Sequence, residues 1–328
     1  MKRIVETLTP VSDAEQQQIL TAPKTSDSHL ELMAAVPAMS EIEKGGQASV
    51  STFGEQIKVA AWNLERCLFV EQSAKKLSSL RVDVVLLSEM DCGMARSAQR
   101  HTTHDMAEQL GMQYCYGVEF YEMGLGGPVE VQHFCKEDYN LVGWHGNAIM
   151  SKAPIDDLML VRLDDHGHWF CTDKFADPEQ PRIGGRMAIV AMIQGICFVT
   201  THLESAAKAV QRLDQIAILL SAIDEFADGS PVIIGGDLNT GNHMPPNYDW
   251  RDETLFEYCE ENGYDFSFNP EGFTTRQSLI TRAPSQKMKL DWFLTKHLQI
   301  VEAGIESSID EDGTPLSDHD CIWVNCKT

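Results

Sequence analysis

Three things are scarce in this 328-residue chain: paired cysteines, long apolar runs and positive charge. The nine cysteines, at 67, 92, 115, 135, 171, 197, 259, 321 and 326, stand singly, an odd number with no CxxC pair. That argues against a disulfide framework or a structural zinc site and suits reduced thiols in a cytoplasm. No uninterrupted apolar run is long enough to cross a bilayer, and the opening MKRIVETLTPVSDAEQQQ turns polar at once, unlike a leader peptide. The expectation is a soluble, cytoplasmic protein with no transmembrane segment. Lysine and arginine number 26 against 49 acidic residues, a formal net charge of -23. Such a surface repels a polyanion at long range and disfavours extended contact with duplex DNA, unless bound divalent cations or a local basic patch reverse the potential. Internal repeats and low-complexity tracts are missing too.

What is there suits a folded enzyme-sized domain: 43% of residues are hydrophobic, enough for a substantial core. Residues 1–52 read differently from the rest. Ser12–Glu15 and Ser28–Glu31 each fit a helix capping box, and Pro23, Pro37 and the Gly45-Gly46 pair punctuate the stretch. It is expected to be an N-terminal helical extension and linker ahead of a domain over 53–328.

From Ile57 onward, short apolar runs rich in β-branched and aromatic residues predict strands at 57–62, 82–87, 148–150, 187–193, 196–201, 232–234, 290–294 and 321–324. One clear helix is predicted from about Ser205 to Ala227, with Val210, Leu213, Ala217 and Leu220 on its apolar face and Gly229 and Pro231 ending it. Many strands with few helices argue against a regular βαβ array and for stacked sheets flanked by helices.

Several of these runs end in a polar residue. The first ends in Asn63, the second leads to Glu89, and the strand at 196–201 ends in His202. The run at 232–234 leads through two glycines to Asp237 and Asn239, Leu290 precedes Asp291, and Ser317-Asp318-His319 precedes the last strand. If the strands share sheets, these ends converge on one rim. They would supply hard oxygen ligands for a cation, amides for phosphate oxygens and two imidazoles. Each residue alone is ordinary; the ordered set is specific.

The set resembles the endonuclease/exonuclease/phosphatase superfamily. The matching stretches are AAWNLE (60–65), VVLLSEMD (84–91), GNAIMS (146–151), TTHLES (200–205), IIGGDLNT (233–240), LDWFLT (290–295) and SDHDCIWV (317–324). The resemblance implies an α+β fold, a four-layer α/β/β/α sandwich of two stacked mixed sheets flanked by helices. It implies Mg²⁺ or Mn²⁺ held by Glu89, Asn63 and Asp318. Asp237 would orient or deprotonate the attacking water, and Asn239 would hold a phosphate oxygen. Asp291 would fix and charge His319, and His202 would donate to another oxygen or to the leaving group. Asn147, in GNAIMS, would contact substrate.

The chain departs from that pattern at Ser88, where a glutamine often precedes the metal-binding glutamate. It also has Trp144-His145 where abasic-site endonucleases carry a tyrosine. Arg182 and Arg186 flank a glycine turn suited to an anion, and Arg186 is a candidate substrate contact. The segment 274–289 holds Arg276, Arg282, Lys287 and Lys289 without an acid. A long loop is expected over 119–139, placed to shape substrate choice. The expectation is metal-dependent hydrolysis of a phosphate mono- or diester in a small metabolite or lipid headgroup. A nuclease for single-stranded or damaged nucleic acid is the alternative, and a non-catalytic binding protein on the same fold the third reading.

Overall fold

Val84-Val85-Leu86-Leu87 is an unbroken apolar run because both faces of its strand are covered, the condition under which alternation disappears. The computed structural model describes residues 3–242, 249–282 and 287–327. In chain order the strands are β1 (Arg3–Val5), β2 (Glu41–Gly46), β3 (Ile57–Arg66), β4 (Val84–Cys92), β5 (Gln113–Glu122), β6 (Trp144–Ser151) and β7 (Asp157–Arg162). They continue with β8 (Arg182–Gly184), β9 (Met187–Ile193), β10 (Ile196–His202), β11 (Val232–Asp237), β12 (Asp291–Lys296), β13 (Gln299–Glu306) and β14 (Cys321–Lys327). The α-helices are α1 (Asp13–Thr21), α2 (Ser26–Ala35), α3 (Val70–Leu80), α4 (Thr102–Leu110), α5 (Pro128–His133), α6 (Ala209–Ala227) and α7 (Thr254–Glu261).

One mixed sheet has the order β1-β2-β5-β6-β4-β3-β14-β13, with β8 beside β5, and the other has the order β12-β11-β10-β9-β7. The strands' period of two sorts their side chains into three cores. Val59, Ala61, Val84 and Leu86 of the first sheet meet Phe198, Ile233 and Phe293 of the second in the central core. Ala60, Trp62, Val85 and Leu87 point the other way, under α3, α4 and the N-terminal helices. Val199, Ile234, Trp292 and Leu294 lie under α6 and α7. This is the expected α/β/β/α sandwich.

Residues up to Gly46 contribute β1 and β2 to the edge of the larger sheet, and Ile19, Leu32 and Met33 to its outer core. Ser12 and Glu15 form the expected capping box on α1. The second helix begins earlier than expected, because the side chain of Thr25, not Ser28, accepts the first-turn N–H. Gly45 and Gly46 are not a linker but the end of β2. A Cβ on Gly45 would sit 2.6 Å from Tyr114 Oη, so the strand fits beside β5 only as glycine.

The predicted helix starts at Ala209 rather than Ser205, and its buried face is Arg212, Ile216, Leu219, Leu220 and Ile223, while Val210 is exposed. The periodicity misplaced the face because a charged residue belongs to it. Arg212 and Glu253 form a fully buried ion pair, and Glu253 Oε1 also accepts from Gly241 N at 2.8 Å, pinning the loop that follows Asn239. Removing one charge of a buried pair leaves the other uncompensated. Glu253→Gln is therefore expected to cost about 3–5 kcal/mol, measured by urea unfolding; a loss under about 1 kcal/mol would place the pair in effective contact with solvent.

Candidate active site

Register brings the polar strand ends together. His202 of β10 pairs with Asp237 of β11, which pairs with Asp291 of β12, so three site residues stand side by side across one sheet. Gly236 makes this possible: at φ 154° it lies so close to Thr201 that a Cβ would come 2.0 Å from that carbonyl oxygen. In the facing sheet, β3 and β4 run parallel with Asn63 opposite Ser88, and both β3–β4 and β4–β6 shift register there. Bulges of this kind re-aim side chains; Glu89 and Asn239 both take positive φ, 57° and 52°.

Asp237 is the centre of the arrangement. Its Oδ2 lies 3.6 Å from His202 Nε2 and 3.6 Å from His319 Nε2, and accepts from Asn63 Nδ2 at 3.2 Å. Its Oδ1 accepts from the backbone N–H of Asn239 at 2.8 Å. His319 Nδ1 donates to Asp291 Oδ2 at 2.7 Å. Burial opposes charge on His319, but Asp291, then Asp237 and Asp318, overcome it and hold the imidazolium well above its ordinary range. His202 Nδ1 lies 3.4 Å from Glu119 Oε2 and touches Arg186 Nη1 at 2.8 Å. Burial and Arg186 work against its charge, while Glu119 and Asp237 raise its pKa.

Asn63 Nδ2 also donates to Glu89 Oε1 at 3.0 Å, and Arg66 Nη1 pairs with Glu89 Oε2. Burial pushes the Glu89 carboxyl up, but Arg66, His202 and His145 hold it well below the usual carboxylate range. Asp318 and Asp237 behave oppositely. Burial, with Glu89 beside Asp318 and Asp291 beside Asp237, pushes both up despite His319. Glu65, buried next to Asp318, rises to about 7 for the same two reasons, desolvation and then Asp318.

This surplus of hard, mutually repelling oxygens is the setting a divalent cation fits, since it removes the repulsion that raises these pKa values. Asp237, Asp291 and His319 form a compact trio with ligand atoms within 4.8 Å. His319, however, uses Nδ1 on Asp291 and is held protonated, and an imidazolium has no lone pair for a metal. Glu89 and Asp318 are the better donors.

Arg186 is buried behind His202, paired with Glu119 at 2.7 Å and Glu204 at 3.2 Å, rather than standing at an open anion site. Asn147, also buried, donates Nδ2 to Met187 O, and its Oδ1 has no partner among the described residues. Arg182 pairs with Glu122, and His145 with Asp91 at 2.8 Å. His101 caps α4 and bonds Glu43. Within the basic segment, Arg276 pairs with Asp320 and Lys289 donates to Pro270 O, while Arg282 and Lys287 are exposed; residues 283–286 lie outside the described set. The expected loop at 119–139 is in part strand, since β5 continues to Glu122, and in part α5.

Three residues were not picked out as site residues from the sequence. Glu65 accepts from Ser278 Oγ at 2.7 Å, Thr281 Oγ1 at 2.7 Å and Asp318 N at 3.2 Å. Glu119 and Glu204 hold Arg186 beside His202. Glu65 and Glu204 each lie two residues beyond a site residue, a usable signal; Glu119, inside a strand, gave none.

The model of the Endonuclease/Exonuclease/phosphatase family matches residues 60–319. No curated protein matches the chain in sequence. Among solved structures, the chain is similar to an endonuclease/exonuclease/phosphatase from Beutenbergia cavernae, at 16% identity and TM-score 0.58, over 84% of this chain and 72% of that one. The catalytic domain of human nocturnin with bound sulfate gives 14% identity and TM-score 0.56, over 87% and 96%. TDP2 of D. rerio complexed with a single-strand DNA product gives 15% and 0.53, over 84% and 100%. At these identities the likeness is one of fold.

Proposed function

The chain belongs to the endonuclease/exonuclease/phosphatase family, and from that premise we propose that it hydrolyses a phosphate ester by in-line attack of water. The observation that carries this reading is the placing of Asp237 Oδ2 at 3.6 Å from each of two imidazoles, one of them fixed by Asp291. Mg²⁺ or Mn²⁺ held by Glu89, Asn63 and Asp318 would supply positive charge to the phosphoryl oxygens. Asp237 orients the attacking water and takes its proton. The His319 imidazolium faces the charge that builds on phosphorus-bound oxygen, and His202 donates to a second oxygen or to the leaving group. Asn239 holds an oxygen through its side-chain amide N–H, and Asn147 offers Oδ1, which can only accept, to a hydroxyl of the substrate or to the attacking water. Arg186 acts through His202, which it contacts.

The substrate favoured is a compact phosphorylated metabolite or lipid headgroup, because the net charge of -23 opposes a polyanion. Eight of the nine free cysteines are buried, which suits our placing of the enzyme in a cytoplasm. The nuclease reading has one observation in its favour, the exposed Arg282 and Lys287, the first of which follows Thr281, a partner of Glu65. A screen of phosphoesters with Mg²⁺ and Mn²⁺ identifies the class, and salt separates the two readings. For a compact substrate, kcat/KM should fall with a log–log slope no steeper than about -1, whereas a nuclease on a single strand shows roughly -0.7 per phosphate contacted. A steep slope that flattens when Arg282 and Lys287 are both replaced by Gln would overturn the small-substrate reading.

A further inference from the structure

Both oxygens of Glu89 are already taken. Asn63 Nδ2 holds Oε1 at 3.0 Å, and the Arg66 guanidinium holds Oε2. Each oxygen keeps a second lone pair, but of these two donors the guanidinium sets a positive charge against any cation at the carboxylate unless it withdraws. Asn63 is the fixed one, since its Oδ1 is tied to the N–H of Glu65 at 3.1 Å. Arg66 is a long side chain at the end of a strand, on a backbone with three consecutive non-glycine residues at positive φ: 43° at Glu65, 76° at Arg66 and 53° at Cys67. Ordinary side chains avoid this conformation, and it persists where surrounding structure imposes it.

The other side of the same guanidinium is also held. Arg66 Nε donates to Glu130 Oε1 at 3.2 Å, and Glu130 is 5% exposed although it belongs to the short helix α5. Glu130 further bonds Gly127 N at 2.6 Å and lies 3.4 Å from Arg96 Nη1. Arg66 therefore joins a candidate metal ligand to the α5 segment.

We propose that Arg66 competes with a divalent cation for Glu89, yields Oε2 as the cation binds, and transmits that change to α5 through Glu130. The guanidinium has the charge and donor geometry to neutralise a carboxylate, and once released from Oε2 it remains at the rim, held by Nε, where the phosphate's charge arrives. This inference rests on the reading of Glu89 as a metal ligand.

Titration calorimetry with Mn²⁺ alone tests it on the wild-type protein, Arg66→Gln and Glu89→Gln. Removing the competing charge should tighten Mn²⁺ binding by about tenfold in Arg66→Gln. Equal or weaker affinity in a folded Arg66→Gln protein would overturn the proposal. Wild-type affinity in Glu89→Gln would instead overturn the metal-ligand reading beneath it, so the two failures are distinct. The unmodified protein gives a second readout, independent of whether the variant folds. Saturating Mn²⁺ should alter amide hydrogen exchange at 127–134, and Glu130→Gln should abolish that response. Unchanged exchange at those amides in the wild type would also overturn the proposal.

Discussion

Glu89→Gln is expected to lower kcat by about a hundredfold to a thousandfold and to weaken Mg²⁺ or Mn²⁺ binding, while leaving the fold intact. The magnitude follows from what is removed. A carboxylate charge in a buried electrostatic site is worth far more than at a surface, and deleting one such contribution costs two to three decades in rate. Glutamine keeps the volume and can still accept from Asn63, so the β4 bulge that aims the side chain is not emptied. Calorimetry with each metal and steady-state kinetics on the two proteins decide the matter. Loss of turnover with unchanged metal affinity would mean that Glu89 serves the reaction without holding the cation.

The second large effect concerns the imidazole. His319→Ala and Asp291→Asn should each lower kcat by about a hundredfold or more, and the double variant should be little worse than the worse single. Asp291 has one oxygen on His319 Nδ1 at 2.7 Å, and the other has no hydrogen-bond partner among the described residues, so its service to the site runs through that imidazole. Groups that act as a unit give grossly non-additive losses. Fully additive losses in the cycle would mean that Asp291 acts on something other than His319.

The convergence of the polar strand ends in this candidate site was legible in the sequence, for a physical reason. Strands buried on both faces show as continuous apolar runs, and a polar residue at the end of such a run has only the sheet's rim to occupy. His202, Asp237 and Asp291 were recognisable on that ground, and their register across β10, β11 and β12 then put them side by side. What stayed hidden was charge compensated inside the protein. Arg186 looks in sequence like a free anion contact, yet it is held between Glu119 and Glu204, one of them inside a strand. Arg212 hid the buried face of α6 in the same way, since a guanidinium paired with Glu253 has the periodicity of a core residue and the composition of a surface one. The glycines of β2 read as a linker because what crowds them, the Tyr114 ring at Gly45 and the Met112 carbonyl at Gly46, lies far along the chain.

The central claim, metal-dependent attack of water on phosphorus, is tested most directly by turnover in ¹⁸O-labelled water with mass analysis of the products. One ¹⁸O per turnover is expected in the phosphate-bearing product, with turnover present in Mg²⁺ or Mn²⁺, abolished by chelator and restored by added metal. Label in the released alcohol, or turnover indifferent to chelation, would contradict it.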